Sequence, residues 1–195
     1  GTAYPEGPCL LVEAEGTAAT VEADLELVRA LAQAEGATEI VEERDAAGRA
    51  GLWAARHDAA YAAAAASPGR HERTTDTCVP VSELPGAVAF ARAEIARVGL
   101  SAAILGHAGD GNLHVSLQVD PGDPAETKLA DELFESLVGD ALARGGTCTG
   151  EHGIGLGKIK ALELEHGDLV PLMREIKRVF DPNGILNPGK VFTDA

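Results

Sequence analysis

The stretch GHAGDGNLHVSL, residues 106–117, constrains the fold more than any other part of the chain. Asp110-Gly111 lies between two apolar-rich segments, the pattern of a tight two-residue hairpin, so at least part of any sheet must be antiparallel. With Asp110 and Gly111 as the central pair, Gly109 is expected opposite Asn112, Ala108 opposite Leu113, and His107 opposite His114. Directly opposed residues have Cβ atoms ~5 Å apart, so both imidazoles can reach one cation. The hairpin therefore supplies two ligands of a metal site that needs a third.

Strands and helices alternate around the hairpin. Residues 9–12, CLLV, read as a short strand, and TEIVEE at 38–43 as a second. Between them Val21, Leu25, Val28 and Leu31 recur at helical spacing up to Gly36. GLWAARHDAAYAAAAASPG (51–69) predicts a helix that Ser67-Pro68-Gly69 stops, and TTDTCVPVSELPGAVAFARAEIARVG (74–99) reads as strand, turn and helix. A further helix is expected over residues 124–144. The glycine-rich GGTCTGEHGIGLGKIKAL (145–162) and an amphipathic helix in LVPLMREIKRVF follow, then two Pro/Gly turns. Only 4% of residues are aromatic, so the core must come from Leu, Val, Ile and Ala, with Trp53 the single tryptophan. The 195 residues suit one core, or one core with an extension, and the opening reads as a chain that begins mid-protein.

A formal net charge of −15 excludes nucleic acid and anionic membrane surfaces as partners, because both require a basic face. It also requires that an anionic substrate be drawn in locally by a metal or an arginine. Cys9, Cys78 and Cys148 are an odd, widely spaced set without CxxC spacing. They read as reduced thiols in a reducing, cytoplasmic compartment. No apolar run is long enough for a transmembrane segment.

The third metal ligand is found in GEHGIG, where glycines free Glu151 and His152 to approach other backbone. A His/His/carboxylate set leaves positions open for substrate or water and suits Zn²⁺ or Mn²⁺. Adjacent side chains in an extended loop diverge, which assigns Glu151 to the metal with His107 and His114, and His152 to proton transfer. Trp53, Arg56, His57 and Ala60 share one helical face. If that face is turned inward, the Arg56 guanidinium calls for a bidentate anion such as a carboxylate. GEHGIGLGK matches neither GxxxxGK[ST] nor a GxGxxG after a strand, so a nucleotide fold is rejected. Lys158 reads as a helix-start lysine and Cys148 as a buried structural cysteine. A stand-alone metallohydrolase that activates water and a non-catalytic metal-binding or docking module both fit such a site.

LWAARHDAAYAA, TDTCVPVSELP, GHAGDGNLHVSL, CTGEHGIGLGK and DPNGILNPGKVF together resemble the carboxyl-terminal half of the flavin-linked D-2-hydroxyacid oxidoreductases. That family includes cytochrome-type D-lactate dehydrogenases, the glycolate oxidase flavin subunit and D-2-hydroxyglutarate dehydrogenases, and the D-lactate branch looks closest. The resemblance implies an α+β substrate or cap domain over residues 1–195, with a ferredoxin-like antiparallel sheet, helices packed against it and a helical C-terminal tail. It implies FAD held mainly by an N-terminal FAD-binding domain absent from this chain, a small 2-hydroxy acid as substrate, and an electron acceptor of unspecified chemistry. Carried over by residue, it makes His107, His114 and Glu151 the divalent-metal ligands, His152 the base and Arg56 the substrate-carboxylate ligand. Asn112 and Asn187 would face the flavin or substrate. Thr74 stands where D-2-hydroxyglutarate dehydrogenases carry a lysine, which counts against a dicarboxylate substrate.

Overall fold

The computed structural model describes residues 7–193, except for the side chains of Ala60 and Ala63. The chain divides into two compact units, Gly1–Ala59 and Ala60–Ala195. In the first, α1 (Ala18–Ala34) begins where the Thr17 hydroxyl accepts the Thr20 N–H at 3.3 Å, an N-cap that satisfies a donor the helix cannot. Asp45 does the same for α2 (Ala46–Ala65), accepting the Ala47 and Gly48 N–H groups at 2.9 and 2.8 Å. The strands expected at 9–12 and 38–43 do not form. Both segments lack a ladder partner among the described residues, and Leu10, Val12 and Val41 are left exposed. Apolar alternation makes a strand only where a neighbouring strand takes up its N–H and C=O groups. Trp53 and Arg56 are half-buried on α2, His57 is exposed, and Ala60, the fourth residue of that face, has its side chain outside the described set.

The second unit is a small antiparallel sheet backed by two helices. Its elements are β1 (His71–Thr74), β2 (Thr77–Cys78), α3 (Leu84–Val98), β3 (Ala102–His107), β4 (Asn112–Val119) and α4 (Pro124–Ala143), followed by α5 (Ile159–His166) and α6 (Val170–Phe180). β4 is central: β1 and β2 lie end to end along one edge and β3 along the other. Thr147 adds an antiparallel bridge outside Cys78. Counting β1 and β2 as one interrupted strand and Thr147 as the last, the order is the β-α-β-β-α-β of a ferredoxin-like build, and the expected α+β class holds.

Leu113, Val115, Leu117 and Val119 of β4 point to Ala87, Ala91 and Val98 of α3 and Ala130, Leu133, Leu137 and Ala141 of α4. The alanines let both helices approach the sheet closely, and each fully buried Leu or Val contributes about 1.5–3 kcal/mol. α4 starts on Asp123, whose carboxylate accepts the Ala125 N–H at 2.8 Å, with Pro124 at the first helical position. The opposite face of β4 carries Asn112, His114, Ser116 and Gln118, all buried. Among the described residues, no helix is long and apolar enough to cross a membrane.

The hairpin register differs from the expected one by two residues. His107 pairs with Asn112, Gly106 with Leu113, and Leu105 with His114, leaving a four-residue loop. The Asp110 N–H closes the turn on the His107 carbonyl at 3.0 Å, and Gly111 is tied by its carbonyl to the Val79 N–H at 3.0 Å. Gly111 has φ 75°, and a Cβ there would lie 1.9 Å from the Val79 carbonyl oxygen, so only glycine fits. A slip by an even number of residues keeps every side chain on its face. His107 and His114 are thus diagonal rather than opposed, yet remain together.

Candidate active site

The site is built on the gap between β1 and β2. Thr75 donates its N–H to the Val115 carbonyl at 3.0 Å, as a ladder residue should, but the Val115 N–H goes to the Thr75 hydroxyl at 2.9 Å. That substitution releases the Thr75 carbonyl, which accepts Nδ1–H of His114 at 3.1 Å. A carbonyl only accepts, so Nδ1 carries a proton and Nε2 is turned away from the sheet toward Glu151. Nε2 lies 2.9 Å from Oε1 of Glu151.

The next residue, Asp76, is 1% exposed and organises the GEHG loop. Its carboxylate accepts the backbone N–H groups of Gly150 (3.1 Å), Glu151 (3.2 Å) and His152 (2.9 Å), and the Thr149 hydroxyl at 2.8 Å. Asn112 Nδ2 and Lys158 Nζ, both at 3.0 Å, complete the set. Burial pushes the Asp76 carboxyl up, but the bonds from His152, Thr149, Asn112 and Lys158 outweigh it and hold the group well below the usual carboxylate range. The loop is further tied by the Val191 N–H to the Gly155 carbonyl at 2.7 Å and by the Cys148 N–H to Glu165 at 2.8 Å.

These constraints gather four side chains. Glu151 Oε1 is the hub, 2.9 Å from His114 Nε2, 3.7 Å from His107 Nε2 and 3.6 Å from His152 Nε2. The His107 ring meets His114 edge-on with centroids 5.9 Å apart, and His152 stacks on His114 at 5.2 Å. His114 is buried and the other three are exposed, so the cluster opens on one side. Glu151 and His152 do not diverge as an extended loop would make them, because the loop curls around Asp76 and brings both inward. One carboxylate and two imidazoles converging on one point form a donor set that fits a divalent cation. Ligand atoms of His107, His114 and Glu151 lie within 4.8 Å of one another.

The remaining sequence candidates have settings of their own. Arg56 lies on α2 within the first unit. Asn112 is buried, its amide N–H on Asp76 and its Oδ1 without a hydrogen-bond partner. Asn187 is exposed in a turn with φ 48°, a left-handed conformation that asparagine tolerates better than most residues. Lys158 is more than a helix-start lysine, since it neutralises Asp76. Sequence reasoning missed Thr75 and Asp76. The available signal was an aspartate within a segment that reads as a strand, where that residue is depleted.

Fold and cluster together define a class: an α+β domain presenting a His/His/carboxylate set with one further histidine stacked beside it. The profile of the FAD linked oxidases, C-terminal domain, matches residues 1–191. The probable mitochondrial D-lactate dehydrogenase of Danio rerio is 39% identical over 189 residues, 96% of this chain and 38% of that protein. The mitochondrial D-lactate dehydrogenase [cytochrome] of Arabidopsis thaliana is 35% identical, covering 98% of this chain and 34% of the relative. The glycolate oxidase subunit GlcD of Bacillus subtilis is 35% identical, covering 94% and 39%. Among solved structures, 4-ethylphenol oxidase from Gulosibacter chungangensis shares the fold with a TM-score of 0.63 at 18% identity, over 92% of this chain and 38% of that one. The chain belongs to the FAD-linked oxidase C-terminal domain family, and it spans little more than a third of the length of these curated relatives.

Proposed function

We propose that this chain is the substrate-side domain of an FAD-dependent, metal-assisted dehydrogenase that oxidises a D-2-hydroxy acid, D-lactate, to the 2-oxo acid. The observation that carries the reading is the convergence of His107, His114 and Glu151 on one point with His152 alongside, in a chain similar to D-lactate dehydrogenases. An N-terminal domain of the same parent chain would hold most of the FAD, and a separate electron acceptor would be a further partner. The exposed apolar side chains Leu172, Ile176, Val179 and Phe180 of α6 suit a covered surface, which favours a partner domain over a stand-alone module.

When bound, the cation, Zn²⁺ or Mn²⁺, supplies Lewis acidity toward the substrate oxygens, and FAD supplies the hydride acceptor. His107, His114 and Glu151 would hold the cation. His152 takes the substrate hydroxyl proton at Nε2, a general-base role worth ~10²–10⁴-fold in rate. Arg56 is assigned the substrate carboxylate, since a guanidinium binds one bidentately. Asn112 and Asn187 are assigned to the flavin or substrate side, and Thr74 disfavours a second carboxylate on the substrate.

The test is anaerobic mixing of the full-length flavoprotein with a panel of D-2-hydroxy acids. D-lactate is expected to bleach the flavin. Flavin that stays oxidised with every member overturns the reading, and hydrolysis of simple esters in its place would establish the metallohydrolase alternative.

A further inference from the structure

We infer that Asp76 is a positioning residue of the site: a buried carboxylate, not itself a ligand, that holds the Glu151 and His152 backbone so that both side chains meet His114. The inference rests on the metal-site reading above. Among the described residues, two sets of side chains could hold a cation, His107/His114/Glu151 and Asp76/His114/His152, and His114 belongs to both. Asp76 cannot serve in the second. Its two oxygens offer about four lone-pair directions, and six donors already surround them: three consecutive backbone N–H groups, the Thr149 hydroxyl, the Asn112 amide and the Lys158 ammonium. A cation entering there would have to displace Lys158 and expose buried N–H groups, whereas Glu151 Oε1 carries no such set of donors and faces His114 Nε2 at 2.9 Å.

The geometry also shows why a carboxylate is needed. Three successive N–H groups pointing to one place form a concave, partly positive nest, which a buried anion satisfies and a neutral side chain does not. Asparagine would turn one NH₂ group toward donors, leaving N–H groups unpaired and Lys158 without its counter-ion. The loop would then lose the curl that brings adjacent residues to one cluster. Gly150 shows how tight the arrangement is: a Cβ there would lie 2.0 Å from Asn112 Nδ2 and 3.0 Å from Asp76 Oδ1.

The experiment compares wild type, Asp76→Asn, Thr149→Val and His107→Ala in the full-length protein stripped of metal. Hydrogen exchange is followed over residues 149–152, and Co²⁺ is titrated with its visible d–d spectrum as readout. Asp76→Asn is expected to speed exchange in this segment by ~10-fold or more while β4 and α4 keep wild-type protection. It should weaken Co²⁺ binding by ~10–100-fold with a changed spectrum, the range for loss of an outer-shell partner. His107→Ala should weaken Co²⁺ binding without touching loop exchange. Unchanged Co²⁺ affinity and spectrum in Asp76→Asn overturn the inference, as does exchange that accelerates equally over β4, α4 and the loop. Should Asp76→Asn fail to fold, Thr149→Val decides: it removes one of the six bonds and should shift both readouts in the same direction by roughly 3-fold, and no shift overturns the inference. Wild type that takes up no Co²⁺ overturns the metal-site reading instead, and loop exchange alone then supports or refutes the anchor.

Discussion

The carbonyl of Thr75 accepts the Nδ1–H of His114 at 3.1 Å, while the Thr75 hydroxyl takes the ladder bond from Val115. A missing sheet bond thus gives a buried histidine a backbone acceptor that fixes its ring orientation. Thr75→Val removes the hydroxyl, so the Val115 N–H is expected to turn to the carbonyl and compete there with His114 Nδ1, loosening the ring's orientation. Divalent-cation affinity should fall ~10-fold or more, whereas Thr75→Ser should match wild type. Calorimetric titration with Mn²⁺ and Zn²⁺ checks both.

Glu151 and His152 should separate in their kinetics despite being neighbours. Glu151→Gln should lower cation affinity and lose activity that excess metal partly restores, since an amide is a poorer ligand. His152→Asn should keep its metal and slow flavin reduction by at least ~10²-fold, with no response to added metal. Stopped-flow flavin bleaching with parallel metal analysis tells them apart. The reverse pattern would exchange the two roles.

Folding depresses the Asp76 carboxyl, so ionised Asp76 stabilises the folded state fully above its unfolded value of about 4. That contribution drains away as pH falls from there toward the lower folded value. In metal-free protein, urea midpoints should therefore decline below about pH 4. Asp76→Asn should start less stable at neutral pH and decline less steeply in the same window.

Cys148 and Cys9 should differ sharply toward thiol reagents. Burial pushes the Cys148 thiol up to about 12, and the Glu165 carboxylate beside it adds to the shift. At pH 8 its thiolate fraction is then roughly 10⁻⁴, and no reagent reaches it. Cys9 is exposed. Mass-spectrometric mapping after brief alkylation should find Cys9 modified in native protein, and Cys148 only after unfolding.

What could be read from the sequence was what local pattern dictates. The α4 boundaries follow from Asp123-Pro124 at one end and Gly145 at the other, and His107, His114 and Glu151 were identifiable as ligand types. The hairpin loop was misjudged because Asp-Gly signals a two-residue turn, while this one is also fastened through Gly111 to Val79, a residue outside the hairpin. The error left the histidine pair intact because it was even. Thr75 and Asp76 were illegible for a different reason. Their roles depend on backbone groups delivered by β4 and by residues 150–152, and nothing in TTDTC announces which distant N–H groups will arrive.

Gly150 offers no donor side chain, no charge and no nucleophile. Yet one added methyl at its position would strike the Asn112 amide and press on Asp76. A deep mutational scan scored on substrate turnover should therefore rank Gly150 with Glu151 and His114 among the least substitutable positions. Attempts to enlarge or re-aim this site by design must leave that empty volume alone, because the room the loop needs to turn is itself encoded as the absence of an atom.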